Sequence, residues 1–264
     1  KILFKCINYI IKNKINKYYT LKVKKLKKIC LVEILKEELF LESLRKIIFK
    51  DVYIEKFLKE IRKLFLSNLI ENKISLLDYE LKFIISLGEQ CFLNEYIFTE
   101  TEKESQYIKK IESILHSDQI NEHLICMFSC YLPLNKIKKY IKNLESKNID
   151  LLNLIKIQIL EQIEENAIRE RIATFGIISD NVSTKVRSQY EKNPYPRWKY
   201  SSYNQAHKES PLIAINREIY PNKINLNSLP STPNILIAGC GTGNQIVGAQ
   251  RYFNCKLTAI DLSK

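Results

Sequence analysis

The distribution of chain breakers divides this sequence in two. Residues 1–175 contain one glycine, Gly88, and one proline, Pro133, whereas residues 176–264 contain five glycines and six prolines. Glycine and proline are the residues least compatible with a helix interior. A long stretch almost free of both, and rich in Leu, Ile, Lys and Glu, is therefore predicted to be helical. Phe57, Leu58, Ile61, Leu64, Phe65 and Leu69 recur at helical spacing, which assigns Lys56, Lys59, Glu60 and Arg62 to the opposite, solvated side. Further helices are predicted near 31–48, 76–98, 104–116, 121–131, 135–147 and 151–170, with Asn135 and Asp150 as N-caps. The stretch carries no recognisable helical-repeat signature, so an irregular all-α region over residues 1–178 is expected.

Composition bounds the function classes. The 264 residues are 45% apolar and 27% charged, with a net charge of +13, as in globular proteins. No uncharged apolar run reaches the roughly 18 residues of a transmembrane helix. The opening segment is too lysine-broken for a signal peptide, so a cytoplasmic protein without a membrane span is expected. Residues 1–30 hold ten lysines and no acid, a distribution that suits nucleic acid, anionic lipid or simply a solvated surface. Lysine outnumbers arginine 34 to 8, and recognition of phosphates and bases leans on the arginine fork, so nucleic acid is disfavoured. The seven cysteines at 6, 30, 91, 126, 130, 240 and 255 are odd in number and irregularly spaced, which implies reduced thiols rather than a disulfide framework. His123, Cys126 and Cys130 share a helical face, with His116 two turns earlier. Their neighbours are apolar and no Cys-x-x-Cys pair is present, so no metal site is assigned.

From Asp180 the texture changes. Asp180 or Ser183 can cap a short helix ending near Tyr190-Glu191, followed by Asn193-Pro194-Tyr195-Pro196-Arg197-Trp198, where the two prolines enforce extended backbone. Six aromatics between 190 and 220 are too many for a solvated linker, so residues 179–233 read as a connector that wraps something. The sharpest signal comes next. An apolar run at 235–238 leads into Gly239-Cys240-Gly241-Thr242-Gly243, then a helix-compatible stretch to 253, a second strand at 256–260, and Asp261. Residues 234–264 thus form a strand–turn–helix–strand unit. Gly239 permits backbone forbidden to other residues, and Gly241 lets the main chain approach a ligand closely. A carboxylate at the end of the second strand can accept hydrogen bonds from both hydroxyls of a ribose.

The spacing Gly239-x-Gly241-x-Gly243 departs from the Gly-x-Gly-x-x-Gly of dinucleotide sites. It resembles the first motif of class I S-adenosylmethionine-dependent methyltransferases. The segments Val186-Arg-Ser-Gln-Tyr190-Glu-Lys-Asn-Pro-Tyr195-Pro-Arg197-Trp198 and Ile235-Leu-Ile-Ala-Gly-Cys-Gly-Thr-Gly243 look like those of bacterial methyltransferase-domain proteins that often carry tetratricopeptide repeats. Gln90-Cys-Phe-Leu-Asn-Glu-Tyr96 is similar to part of their helical region. The resemblance implies a Rossmann-like α/β methyltransferase domain begun at 234 and truncated after its second strand. It also implies S-adenosyl-L-methionine as cofactor, held by Gly239, Cys240, Gly241, Thr242, Gly243 and Asp261. Tyr190, Tyr195, Arg197 and Trp198 are candidates for a lid or rim over the cofactor, or for packing that fastens the connector. Arg187 and Arg197 are placed to pair with carboxylates. Many relatives carry an acid two residues before the first glycine, where this chain has Ile237.

The first residue is lysine and the last lies three positions beyond Asp261, so a piece of a longer reading frame is expected. Such a piece is expected to be inactive by itself, with the methyl acceptor and any general base unassigned. The competing class is a non-catalytic helical module that docks a protein partner through residues 1–175. A nicotinamide-dependent oxidoreductase is disfavoured by the glycine spacing.

Overall fold

The computed structural model describes residues 2–117, 121–142, 144–200, 208–225, 230 and 232–264. The chain divides into two compact units, Lys1–Arg171 and Ile172–Lys264. Parts of the segment expected as a connector, at 201–207, 226–229 and 231, lie outside the described residues.

The first unit is all helical: α1 (Ile2–Thr20), α2 (Lys24–Leu35), α3 (Glu38–Lys46), α4 (Val52–Ile70), α5 (Asp78–Leu93), α6 (Glu102–His116) and α7 (Glu122–Ser129), then α8 (Lys138–Ile141), α9 (Ile149–Ile155) and α10 (Glu161–Arg171). The caps follow local chemistry. Asp51 accepts from the Tyr53 and Ile54 N–H groups at 2.9 and 3.2 Å, and Thr101 and Glu104 form a reciprocal capping box. Helix α5 runs through the middle, buried on all sides from Phe83 to Leu93, and packs on α3, α7 and α9. Phe40 stacks at 6.1 Å on Phe83, whose ring lies 6.5 Å from Phe65, joining α3, α4 and α5 through aromatic contacts.

Gly88 is the glycine that the helical stretch retains, and its neighbour explains it. A Cβ there would collide with the Ser129 hydroxyl and stand 3.2 Å from the Ser129 Cβ, so the missing side chain lets α5 and α7 approach.

Three sequence expectations are corrected. Arg62, assigned to the solvated side of α4, is 1% exposed, whereas Leu64, assigned to the core, is 43% exposed. The cause is a set of partners that periodicity cannot see. The Arg62 guanidinium donates to the carbonyls of Cys130 at 3.1 Å and Thr99 at 3.0 Å, and lies 3.9 Å from the Tyr131 ring centre. Second, the helix predicted over 135–147 is a 3-10 turn, Leu134–Ile137, running into α8, with Pro133 rather than Asn135 at its cap. Third, Asn148 caps α9 by accepting from the Leu151 N–H, while Asp150 accepts from Arg45 at 2.9 Å. Between α9 and α10 the helix widens into a π turn, Lys156–Leu160. Its buried Gln158 accepts from the Leu134 N–H and the Tyr96 hydroxyl and donates to the Gly88 carbonyl, so the widening is tied to three other segments.

The segment 90–96 ends α5. Glu95 and Tyr96 take left-handed φ of 57° and 56°, and the Tyr96 N–H donates back to the Cys91 carbonyl at 2.8 Å. This is a helix stop built without glycine.

The second unit contains α11 (Asn181–Lys192), α12 (Pro211–Glu218), β1 (Asn234–Ala238), α13 (Asn244–Ala249) and β2 (Lys256–Ile260). Asp180 caps α11 by accepting from the Ser183 N–H at 2.7 Å, and Ser210 with Pro211 opens α12. β1 and β2 pair in parallel, Asn234 opposite Lys256 through Ala238 opposite Ile260, with α13 as the connection. The protein is thus mostly helical, with a two-stranded parallel sheet near its C-terminal end. Among the described residues no helix is long and apolar enough to cross a membrane.

Candidate functional site

The end of β1 turns on its glycines. Gly239, Gly241 and Gly243 hold φ of 71°, 49° and 87°, a region that side chains with a Cβ adopt at a cost. Three such positions within five residues favour glycine on conformational grounds. A second property accompanies this: no atom lies within 4 Å of a Cβ built on Gly239 or Gly241. These glycines make room for no protein neighbour, and their outer faces are open.

The turn is anchored to both strands. The N–H groups of Gly239 and Cys240 donate to the Ile260 carbonyl at 2.9 and 3.1 Å, which carries the β1–β2 ladder one step past the strand ends. The Gly243 N–H donates to the Cys240 carbonyl at 2.9 Å and closes the turn, and Gly243 then caps α13. Asp261 completes the arrangement from the end of β2. One carboxylate oxygen accepts from the Gly241 N–H at 2.8 Å, and the other accepts from the Ser263 N–H and hydroxyl at 3.0 and 2.8 Å. Burial pushes the Asp261 carboxyl up, but the N–H groups of Ser263 and Gly241 outweigh it and hold the group below its ordinary range. It is a firmly ionised acceptor at neutral pH. Burial and the neighbouring Asp261 push the Cys240 thiol up, so this sulfur stays protonated and is a poor nucleophile.

A carboxylate offers about four acceptor positions. Three of those on Asp261 are engaged by the protein itself, through the Gly241 N–H and the N–H and hydroxyl of Ser263. Ser263 is the residue that sequence reasoning missed. Its place two positions after an aspartate is the signature of a local side-chain-to-backbone turn, and it could have been read that way.

The aromatic–proline segment meets the same turn. Trp198 donates its indole N–H to the Thr242 carbonyl at 3.0 Å, and the Thr242 hydroxyl donates to the Pro196 carbonyl at 2.9 Å. Two bonds of opposite sense therefore clip residues 196–198 onto Thr242. Tyr190 and Tyr195 are both exposed, and Arg197 is half-buried. Arg187 pairs with Glu191 at 2.8 Å, one turn along α11, and Glu191 also accepts from the Lys264 N–H at 3.4 Å. Of the candidate lid residues, the structure thus brings Trp198 onto the glycine turn and leaves the two tyrosine rings largely open to solvent. A second fastening went unread in the sequence. After the exit of helix α13 the Glu209 N–H donates to the Arg251 carbonyl at 3.0 Å and the Phe253 N–H donates to the Glu209 carbonyl at 3.2 Å, and the buried Glu209 carboxylate pairs with Arg217 at 2.8 Å and Arg251 at 3.2 Å.

The histidine–cysteine cluster of the helical unit has ordinary partners. His123 Nδ1 accepts from the Leu76 N–H at 3.0 Å, while the fully buried Cys126 and Cys130 thiols are pushed up by burial.

No family model, curated protein or solved structure matches the chain.

Proposed function

We propose that the second unit is the cofactor-binding beginning of an S-adenosylmethionine-dependent methyltransferase domain of Rossmann-like type, with an unassigned methyl acceptor. The observation that supports this reading is one juxtaposition. A parallel strand–turn–helix–strand unit carries three positive-φ glycines with open outer faces, and Asp261 is hydrogen-bonded to the middle one. In doubly wound sheets, ligands bind at the carboxyl ends of the strands, which is where these groups lie. Gly239 and Gly241 would let a ligand approach the main chain. The remaining acceptor position on Asp261 would take one ribose hydroxyl, and Trp198 with Thr242 would set the shape of the turn.

The cofactor, when bound, supplies an activated methyl group and its leaving group. The protein's part is then alignment and exclusion of water rather than nucleophilic catalysis. That division of labour fits a site whose one thiol, Cys240, is held protonated. No residue is nominated as general base.

One observation favours the competing reading, in which this unit is a relic and the helical unit docks a protein partner. The Asp261 carboxylate is already three-quarters engaged by the chain itself. Thermal unfolding of the intact protein followed by Trp198 emission, with S-adenosylhomocysteine and NAD in parallel, separates the readings. Stabilisation by the first ligand alone is expected. Stabilisation by NAD alone, or by neither, overturns the proposal.

A further inference from the structure

Helix α2 buries Cys30, Ile34 and Leu35 on one side. Its other side presents an unusual mixture. Leu26 and Ile29 are 50% and 47% exposed, and Val23, just ahead of the helix, is 55% exposed. Lys22, Lys24, Lys25 and Lys28 are interleaved with them and also exposed. Because Leu26 and Ile29 are three residues apart they adjoin on the helix surface, with Lys25, Lys28 and the exposed Glu33, one turn beyond Ile29, beside them.

Other lysines among the first thirty residues have partners within the helical unit. Lys12 pairs with Asp51 at 3.1 Å, Lys14 pairs with Glu37, and Lys27 lies 4.6 Å from the Tyr18 ring centre. These contacts belong to packing. Among the described residues Lys22, Lys24, Lys25 and Lys28 have no such partner, and they outnumber the one acid of α2, Glu33, four to one.

We infer that the exposed face of α2 docks on an anionic phospholipid surface, with Leu26 and Ile29 entering the interface and Lys22, Lys24, Lys25 and Lys28 lying among the headgroups. The charge sign supplies the complementarity. Lysine stems can lie along an apolar boundary while their ammonium groups stay in water. The exposed aliphatic pair decides for lipid against nucleic acid, because a phosphate backbone offers Leu26 and Ile29 nothing to bury against. The chain also has no arginine before Arg45, so the residue that reads phosphates and bases with a bidentate fork is missing from this region. A basic helical surface with an apolar seam is the known physical form of reversible interfacial binding.

The test is co-sedimentation of the intact protein with vesicles of phosphatidylcholine and phosphatidylglycerol, and with phosphatidylcholine alone. Binding to the mixed vesicles, weakened by salt and absent from the neutral ones, is expected. The variant Lys24→Gln/Lys25→Gln/Lys28→Gln should partition about a hundredfold more weakly, from about fivefold per lysine near an anionic surface. Leu26→Ser/Ile29→Ser should lose roughly tenfold or more. All these positions are exposed, so both variants should keep the parent's circular dichroism and unfolding midpoint, which is checked first. Three results would each overturn the inference. They are no binding to anionic vesicles, binding indifferent to Leu26→Ser/Ile29→Ser, or tighter binding to a short RNA that depends on the lysines alone.

Discussion

Arg62→Met replaces a buried cation by an apolar side chain of similar length, so little cavity is opened and the cost isolates the polar network. In the parent, Arg62 donates to the Cys130 and Thr99 carbonyls at 3.1 and 3.0 Å and lies 3.8 Å from the Glu104 carboxylate. Methionine leaves both carbonyls without that donor and strands Glu104, which then keeps only its bonds from Thr101 and Tyr131 at 2.8 and 2.7 Å. Hydrogen bonds from a charged donor contribute about 1.5–3 kcal/mol each, partly offset because Arg62 itself no longer has to be desolvated. Breaking a buried pair on one side costs about 3–5 kcal/mol. For a unit of this size each kcal/mol lowers the melting midpoint by about 2–4 °C, so a fall of roughly 6–20 °C is expected. Far-UV circular dichroism is dominated by the helical unit, which holds most of the helix, and Trp198, the chain's one tryptophan, follows the other unit. Adding Glu104→Gln to Arg62→Met should recover about 1 kcal/mol or more, since the stranded charge is removed. A loss below about 1 kcal/mol would refute the reasoning. So would a Glu104→Gln effect identical in the presence and absence of Arg62.

Gly88→Ala should destabilise the helical unit by about 1–3 kcal/mol in urea unfolding, through overpacking against Ser129, and Ser129→Gly in the same chain should restore most of it. The Glu104 carboxyl is pushed up by burial, but bonds from Thr101 and Tyr131 and the Arg62 charge more than compensate, so its folded value lies below the ordinary range. A carboxyl depressed in the folded state contributes stability that is complete above its unfolded value of about 4.3 and is lost as pH falls through the folded value. Acid titration of stability should accordingly show a downward slope below about pH 4.3 that is shallower in Glu104→Gln. Thr242→Val removes the hydroxyl bonded to the Pro196 carbonyl, and Trp198 emission should become more readily quenched by acrylamide while the helical unit melts unchanged.

The helices were legible because their determinants are local: the breaker-free stretch, the period of Phe57, Leu58, Ile61 and Phe65, and caps such as Asp180. The parallel strand pair was legible from its short apolar runs and the glycines between them. What escaped depends on distant partners. Arg62 is polar by sequence and buried by virtue of carbonyls 37 and 68 residues away. Asp150 has good capping chemistry, but Arg45 claims it from 105 residues off, and Asn148 caps instead. At the candidate site, the glycine conformations were readable from residue type. The clip between Trp198 and Thr242 spans 44 residues and was open between a lid and a fastening. Its two bonds hold residues 196–198 against Thr242, and Tyr190 and Tyr195 are exposed. The Ser263 contact was local and readable, and it changes how many ligand bonds Asp261 can accept.

The most direct test of the cofactor assignment is a calorimetric titration of the intact protein with S-adenosylhomocysteine, beside Asp261→Asn and Asp261→Ala. An asparagine oxygen can still accept from the Gly241 N–H, so the first variant keeps that bond while removing the charge and the acceptor of the Ser263 N–H, and the second removes all of these. The account predicts saturable one-to-one binding by the parent, weakened by Asp261→Asn and weakened further by Asp261→Ala. Absence of binding by the parent, or equal affinity in all three proteins, would contradict it.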